Sequence, residues 1–60
     1  MTTTDKANYI MSNSETLSTK HEMSKELDLS RPTFNPRMDG KTEWRKLEVN
    51  YINKLFNELK

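Results

Sequence analysis

The sequence predicts an all-α fold, a small bundle of about four helices. Three observations carry this. Trp44, Leu47, Glu48, Tyr51, Ile52, Leu55, Phe56 and Leu59 recur at i, i+3, i+4 and i+7, with Glu48 the one polar interruption. Helix-start signals recur upstream: Thr19 with Glu22 three residues on, Ser30 ahead of Pro32, and Thr42. The chain has 60 residues, room for one domain that buries only about 60% of the surface its unfolded form exposes.

Met1 to Thr4 reads as a disordered tail, and residues 5–60 as the single domain. A first helix is expected from Asp5 to about Ser14, capped by Thr4 or Asp5, with Ala7, Ile10 and Met11 as its apolar stripe. Asn13 to Ser18 is rich in Ser, Thr and Asn and reads as a loop. Thr19 to Leu27 is the second helix. Its Thr19–Glu22 pair has the form of a capping box, in which the hydroxyl accepts from the third amide and the carboxylate reaches back to the cap amide. Asp28 and Leu29 break the pattern. Ser30 caps a third helix, Arg31 to about Met38, whose first turn holds Pro32 where a missing N–H is harmless. Pro36 removes a hydrogen bond inside that helix and tends to kink or shorten it. Asp39-Gly40 stops it, since glycine supplies the positive φ a helix end often needs. Thr42 caps the last helix, expected from about Glu43 to Leu59.

Composition excludes several classes of function. There is no cysteine, so there is neither a disulfide framework nor a cysteine zinc site. No apolar run approaches the ~18 residues of a membrane span, and the polar N-terminus is unlike a signal peptide, so a cytoplasmic protein is expected. No glycine-rich phosphate loop, no nucleophile with an evident base and no metal-ligand cluster occurs, and His21 stands alone. The expectation is no enzyme, no cofactor and no small-molecule ligand. Hydrophobic and charged residues each make up 32% of the chain, a balance that leans towards disorder. The periodicity of the second half and a net charge of only +1 pull against it.

From Thr19 to Gly40 the pattern acquires a specific geometry. Two short helices flank a tight turn, Met23, Leu27, Leu29, Phe34 and Met38 point inward, and Ser24 is small where two helix backbones approach. That is the layout of a helix-turn-helix, whose second helix is held out to enter a DNA major groove. The stretch resembles the Cro/repressor-type helix-turn-helix family of phage and bacterial regulators, particularly its short phage members. The residues that carry the resemblance are Thr19, Ser24, Leu29-Ser30-Arg31, Thr33-Phe34-Asn35 and Asp39-Gly40, followed by K-T-E-W-R-K-L-E from Lys41. Two positions depart from the family pattern. Asp28 stands where glycine is usual, although Asp tolerates left-handed geometry better than most residues. Pro36 lies within the recognition helix.

The resemblance implies that Ser30, Arg31, Thr33, Asn35 and Arg37 read bases, Arg on the O6/N7 edge of guanine and Asn on the N6/N7 edge of adenine. It places Lys20, His21, Lys41, Arg45 and Lys46 on phosphates. Between Ser30 and Lys46 five basic residues face two acidic ones, a net +3 in a chain whose total is +1. The expected function is transcriptional regulation by a Cro-like repressor that occupies a double-stranded operator in a bacterial host. The alternative is a protein-binding module, an anti-repressor or a host-takeover inhibitor, on the same helices. A last helix of about 25 Å outruns its short neighbours. They are expected to cover Trp44, Leu47, Tyr51 and Ile52, and to leave Leu55, Phe56 and Leu59 as the interface of a weak homodimer.

Overall fold

Threonine side chains start the first two helices. In the computed structural model, which describes residues 1–59, the order is α1 (Thr3–Asn13), α2 (Lys20–Glu26), α3 (Arg31–Met38) and α4 (Lys46–Leu59), with no strand among the described residues. Helix α1 begins two residues earlier than the sequence reading placed it. The Thr2 hydroxyl accepts from the Asp5 amide at 3.1 Å and the Asp5 carboxylate accepts from the Thr2 amide at 3.2 Å, a full capping box. Thr3 and Thr4 are therefore helical rather than a disordered tail. At α2 the box is half made. Thr19 accepts from the Glu22 amide at 3.1 Å, while the Glu22 carboxylate accepts from the Ser18 and Thr19 hydroxyls instead of the cap amide.

Helices α2 and α3 end in the same way. The amide of Leu29 reaches the Ser24 carbonyl at 2.9 Å and that of Asp28 reaches Lys25 at 3.1 Å. One helix later Lys41 reaches Pro36 at 2.9 Å and Gly40 reaches Arg37 at 3.3 Å. Both are Schellman closures, and each needs a left-handed residue at its corner. The corners are Asp28 at φ 58° and Gly40 at φ 80°. The chain thus tolerates Asp in a glycine-like position and keeps glycine at the second. Asp28→Gly is expected to raise the melting temperature by a few degrees, and Gly40→Ala to lower it, each corresponding to about 1 kcal/mol. No atom lies near a Cβ built on Gly40, so that cost is one of backbone conformation alone. Thermal melts of the two variants check both signs.

Helix α4 starts three residues later than predicted. Thr42 does not cap it; its amide instead joins the closure of α3, on the Pro36 carbonyl at 3.3 Å. Trp44 is drawn across Phe34, ring centroids 6.0 Å apart and nearly perpendicular, and its indole N–H donates to the Thr4 hydroxyl at 3.1 Å. That excursion uses up the residues between Gly40 and Lys46.

Ala7 and Ile10 of α1, Met23 of α2, Phe34 of α3, and Ile52 and Phe56 of α4 form the core. α1 packs along α4, and α2 against α3. The radius of gyration is 10.3 Å, about what a folded chain of this length should have. The α1–α4 contact overturns one expectation. Phe56 is 8% exposed, with the Tyr9 ring edge-on at 5.0 Å and the Lys6 ammonium 5.6 Å from its centroid. It is core, not dimer interface, because α1 runs far enough along α4 to cover it. Leu55 also packs against the core, and Leu59 keeps 36% exposure. The reverse holds for Leu47, expected to be covered but 81% exposed; it stands in the first turn of α4, outside the core cluster.

Candidate nucleic-acid interface

Ser24 sets how closely the two short helices meet. It is 3% exposed, and its hydroxyl donates to the His21 carbonyl at 2.9 Å, so it needs no partner across the contact. The left-handed corner at Asp28 then turns the chain into α3 within four residues. Ser30 occupies the N-cap position in extended geometry but makes no side-chain cap bond. Its hydroxyl donates to Thr33 Oγ1 at 2.9 Å.

The first turn of α3 faces outward: Ser30, Arg31, Pro32 and Thr33 are all exposed. Phe34 is fully buried. Asn35 is half-buried, and its Oδ1 is sealed from solvent with no hydrogen-bond partner, which is not the geometry of an amide presenting both ends to adenine. Arg37 is a correction. Expected to read bases, it is 6% exposed and turned inward. Its Nε donates to Glu48 Oε1 at 2.9 Å and its Nη1 donates to the Thr33 carbonyl at 3.0 Å. Glu48 Oε1 also accepts from the Arg45 amide at 2.8 Å, at the start of α4. The Arg37 carbonyl accepts from the Thr4 hydroxyl at 3.4 Å, the same hydroxyl that receives the Trp44 indole. One network thereby ties the end of α3 to the beginnings of α1 and α4. Arg37 positions the helix that carries the outward residues.

In the sequence Glu48 reads as the one polar interruption of an apolar stripe. The signal was present: Arg37 falls three residues after inward Phe34, and Glu48 lies on the inward face of the next helix. Two opposite charges on inward faces of neighbouring helices imply a buried pair, because neither is buried alone.

Lys20 and His21 on the first turn of α2, Lys41 after α3, and Arg45 and Lys46 at the start of α4 are all exposed. The Arg37–Glu48 pair is the one ion pair among the described residues, so none of these cations is held by a carboxylate. With Arg37 withdrawn, the stretch from Ser30 to Lys46 presents four exposed cations against Asp39 and Glu43. His21, Lys25, Ser30 and Arg31 share one shallow concavity at the α2–α3 corner, which brings together three expected contact residues, His21, Ser30 and Arg31, and adds Lys25 to them. On another face Leu27, Leu47 and Tyr51 line an apolar groove rimmed by Glu26 and Asp28. The Tyr51 hydroxyl donates to the Glu26 carboxylate, and that bond pushes the phenol above its ordinary range.

Among the described residues no group of three His, Asp or Glu side chains could hold a metal ion. Among the described residues no helix is long and apolar enough to cross a membrane. Comparison with protein-family models, with curated proteins and with solved structures finds no match to this chain.

Proposed function

We propose that the chain is a sequence-specific double-stranded DNA-binding regulator. In this reading α2 and α3 act as a helix-turn-helix, and the protein represses in the Cro-like manner, by occupying an operator. One observation carries it: the first turn of α3 presents Ser30, Arg31 and Thr33 outward while the other end of the helix is anchored by Arg37–Glu48. A rigid helix with a free first turn suits a major groove, which a recognition helix reads with its N-terminal residues. Lys20, His21, Lys41, Arg45 and Lys46 would lie on phosphates to either side. Self-association on DNA would be weak, since Phe56 is in the core and Leu59 offers little area.

Selection of bound sites from random-sequence duplexes tests the reading. An enriched inverted repeat is expected. Arg31→Ala should cost about 1–3 kcal/mol on that repeat and relax its sequence preference, whereas Lys41→Ala should weaken selected and random duplexes alike. Binding should also fall steeply with added salt. Unchanged site selectivity in Arg31→Ala would refute the assignment of α3.

The second reading, a protein-binding module, is favoured by Leu47 standing exposed beside Leu27 and Tyr51. An apolar contact of that kind would not weaken with salt, and Leu47→Asp would abolish it while leaving DNA binding intact.

A further inference from the structure

The side chain of Asn35 is divided between two environments. It lies one turn after Arg31, on the same face of α3. Its Oδ1 is sealed from solvent and accepts no hydrogen bond, while the residue as a whole is only half-buried. This is the less costly way to place the amide. Turning it over would bury an NH2 group with two donors in place of a carbonyl, and orphaned buried N–H groups are rarer in proteins than under-satisfied carbonyls. The outward end of Asn35 is therefore a donor.

Resting on the DNA-binding reading, we propose that Asn35 is a donor-only base reader that selects guanine or thymine on the strand it contacts. Adenine offers an acceptor at N7 beside a donor at N6, and matching both takes the oxygen as well as the nitrogen of an asparagine. With Oδ1 sealed, the N6 amino group of adenine meets the amide NH2, donor against donor. Cytosine presents only its N4 donor. Guanine offers two acceptors, N7 and O6, and thymine offers O4. The outward NH2 thus favours the two bases that carry a keto oxygen, guanine first.

The experiment is parallel selection from random-sequence duplexes with the wild type, Asn35→Ala and Asn35→Asp. The position whose preference vanishes in Asn35→Ala is the one Asn35 reads. The wild type is expected to prefer guanine or thymine there over adenine and cytosine by roughly tenfold, the discrimination one good base contact supplies. Asn35→Asp, which presents acceptors only, should no longer favour guanine or thymine at that position. Removing an orphaned acceptor should leave the melting temperature of Asn35→Ala equal to the wild type or higher, so the variant reports on reading rather than folding. Adenine or cytosine at that position in the wild-type site, or no position altered in Asn35→Ala, would overturn the assignment of Asn35 alone. A wild type that enriches no sequence would overturn the DNA reading and this assignment together.

Discussion

Glu48→Ala is expected to unfold the protein at room temperature. Arg37 and Glu48 are 6% and 8% exposed, and Glu48 Oε1 serves both the Arg37 guanidinium and the Arg45 amide. Deleting the carboxylate strands a guanidinium in a space that excludes water. Breaking one half of a buried pair costs about 3–5 kcal/mol. A domain of 60 residues has roughly 3–9 kcal/mol in all, so the loss is of the order of the whole. The pair itself is not worth that much. Replacing both members with apolar residues of similar size, as in Arg37→Met with Glu48→Leu, should be neutral or stabilising by about 1–4 kcal/mol. Urea titrations followed by far-ultraviolet circular dichroism distinguish the cases. If Glu48→Ala lay within ~1 kcal/mol of the wild type, the pair would not be the buried anchor described above. The double variant carries a functional consequence. It should fold yet hold α3 less strictly, because the bonds from Arg37 to Glu48 and to the Thr33 carbonyl are gone.

Phe56→Asp is the second large effect, and it separates core from interface. Removing a buried phenylalanine costs about 3–5 kcal/mol, and an unpaired carboxylate in its place adds more. The expected result is loss of helical circular dichroism. Leu59→Asp, three residues on and 36% exposed, should change stability by no more than about 0.5 kcal/mol. Were Phe56 an interface residue, Phe56→Asp would stay folded and become monomeric in sedimentation. A folded Phe56→Asp variant would show that α1 does not cover that ring.

Much of this architecture is legible in the sequence wherever a local rule decides the outcome. Thr19 caps α2 because a threonine followed by a periodic apolar run has few other roles. Asp28 takes the left-handed corner because the chain must turn between Leu27 and Leu29 while keeping both against the core. The stripe through Ile52 and Phe56 marks α4 because nothing else places apolar residues at that spacing. The misreadings occur where a partner distant in sequence decides. Thr42 has the chemistry of a cap, but Trp44 is pulled to Phe34 and Thr4, and α4 must begin after it. Arg37 looked like a reading residue because the sequence alone does not show that Glu48 waits 2.9 Å away. Phe56 reads as uncovered because α1 is short and weakly apolar in sequence, and only its packing along α4 brings Tyr9 and Lys6 onto that ring. At the candidate site Ser30, Arg31 and Thr33 are exposed as anticipated. The divided environment of Asn35 depends on side-chain burial that no spacing rule encodes.

The outward surface of α2 and the first turn of α3 are proposed to meet DNA. The most direct test is to titrate the isotope-labelled chain with a random-sequence duplex at low salt and follow backbone amide shifts by nuclear magnetic resonance. Perturbations are predicted at Lys20, His21, Ser30, Arg31, Thr33, Lys41, Arg45 and Lys46, with α1 and the second half of α4 unmoved, and they should collapse as salt is raised. Shifts centred instead on Leu27, Leu47 and Tyr51, or no shifts at all, would contradict the account.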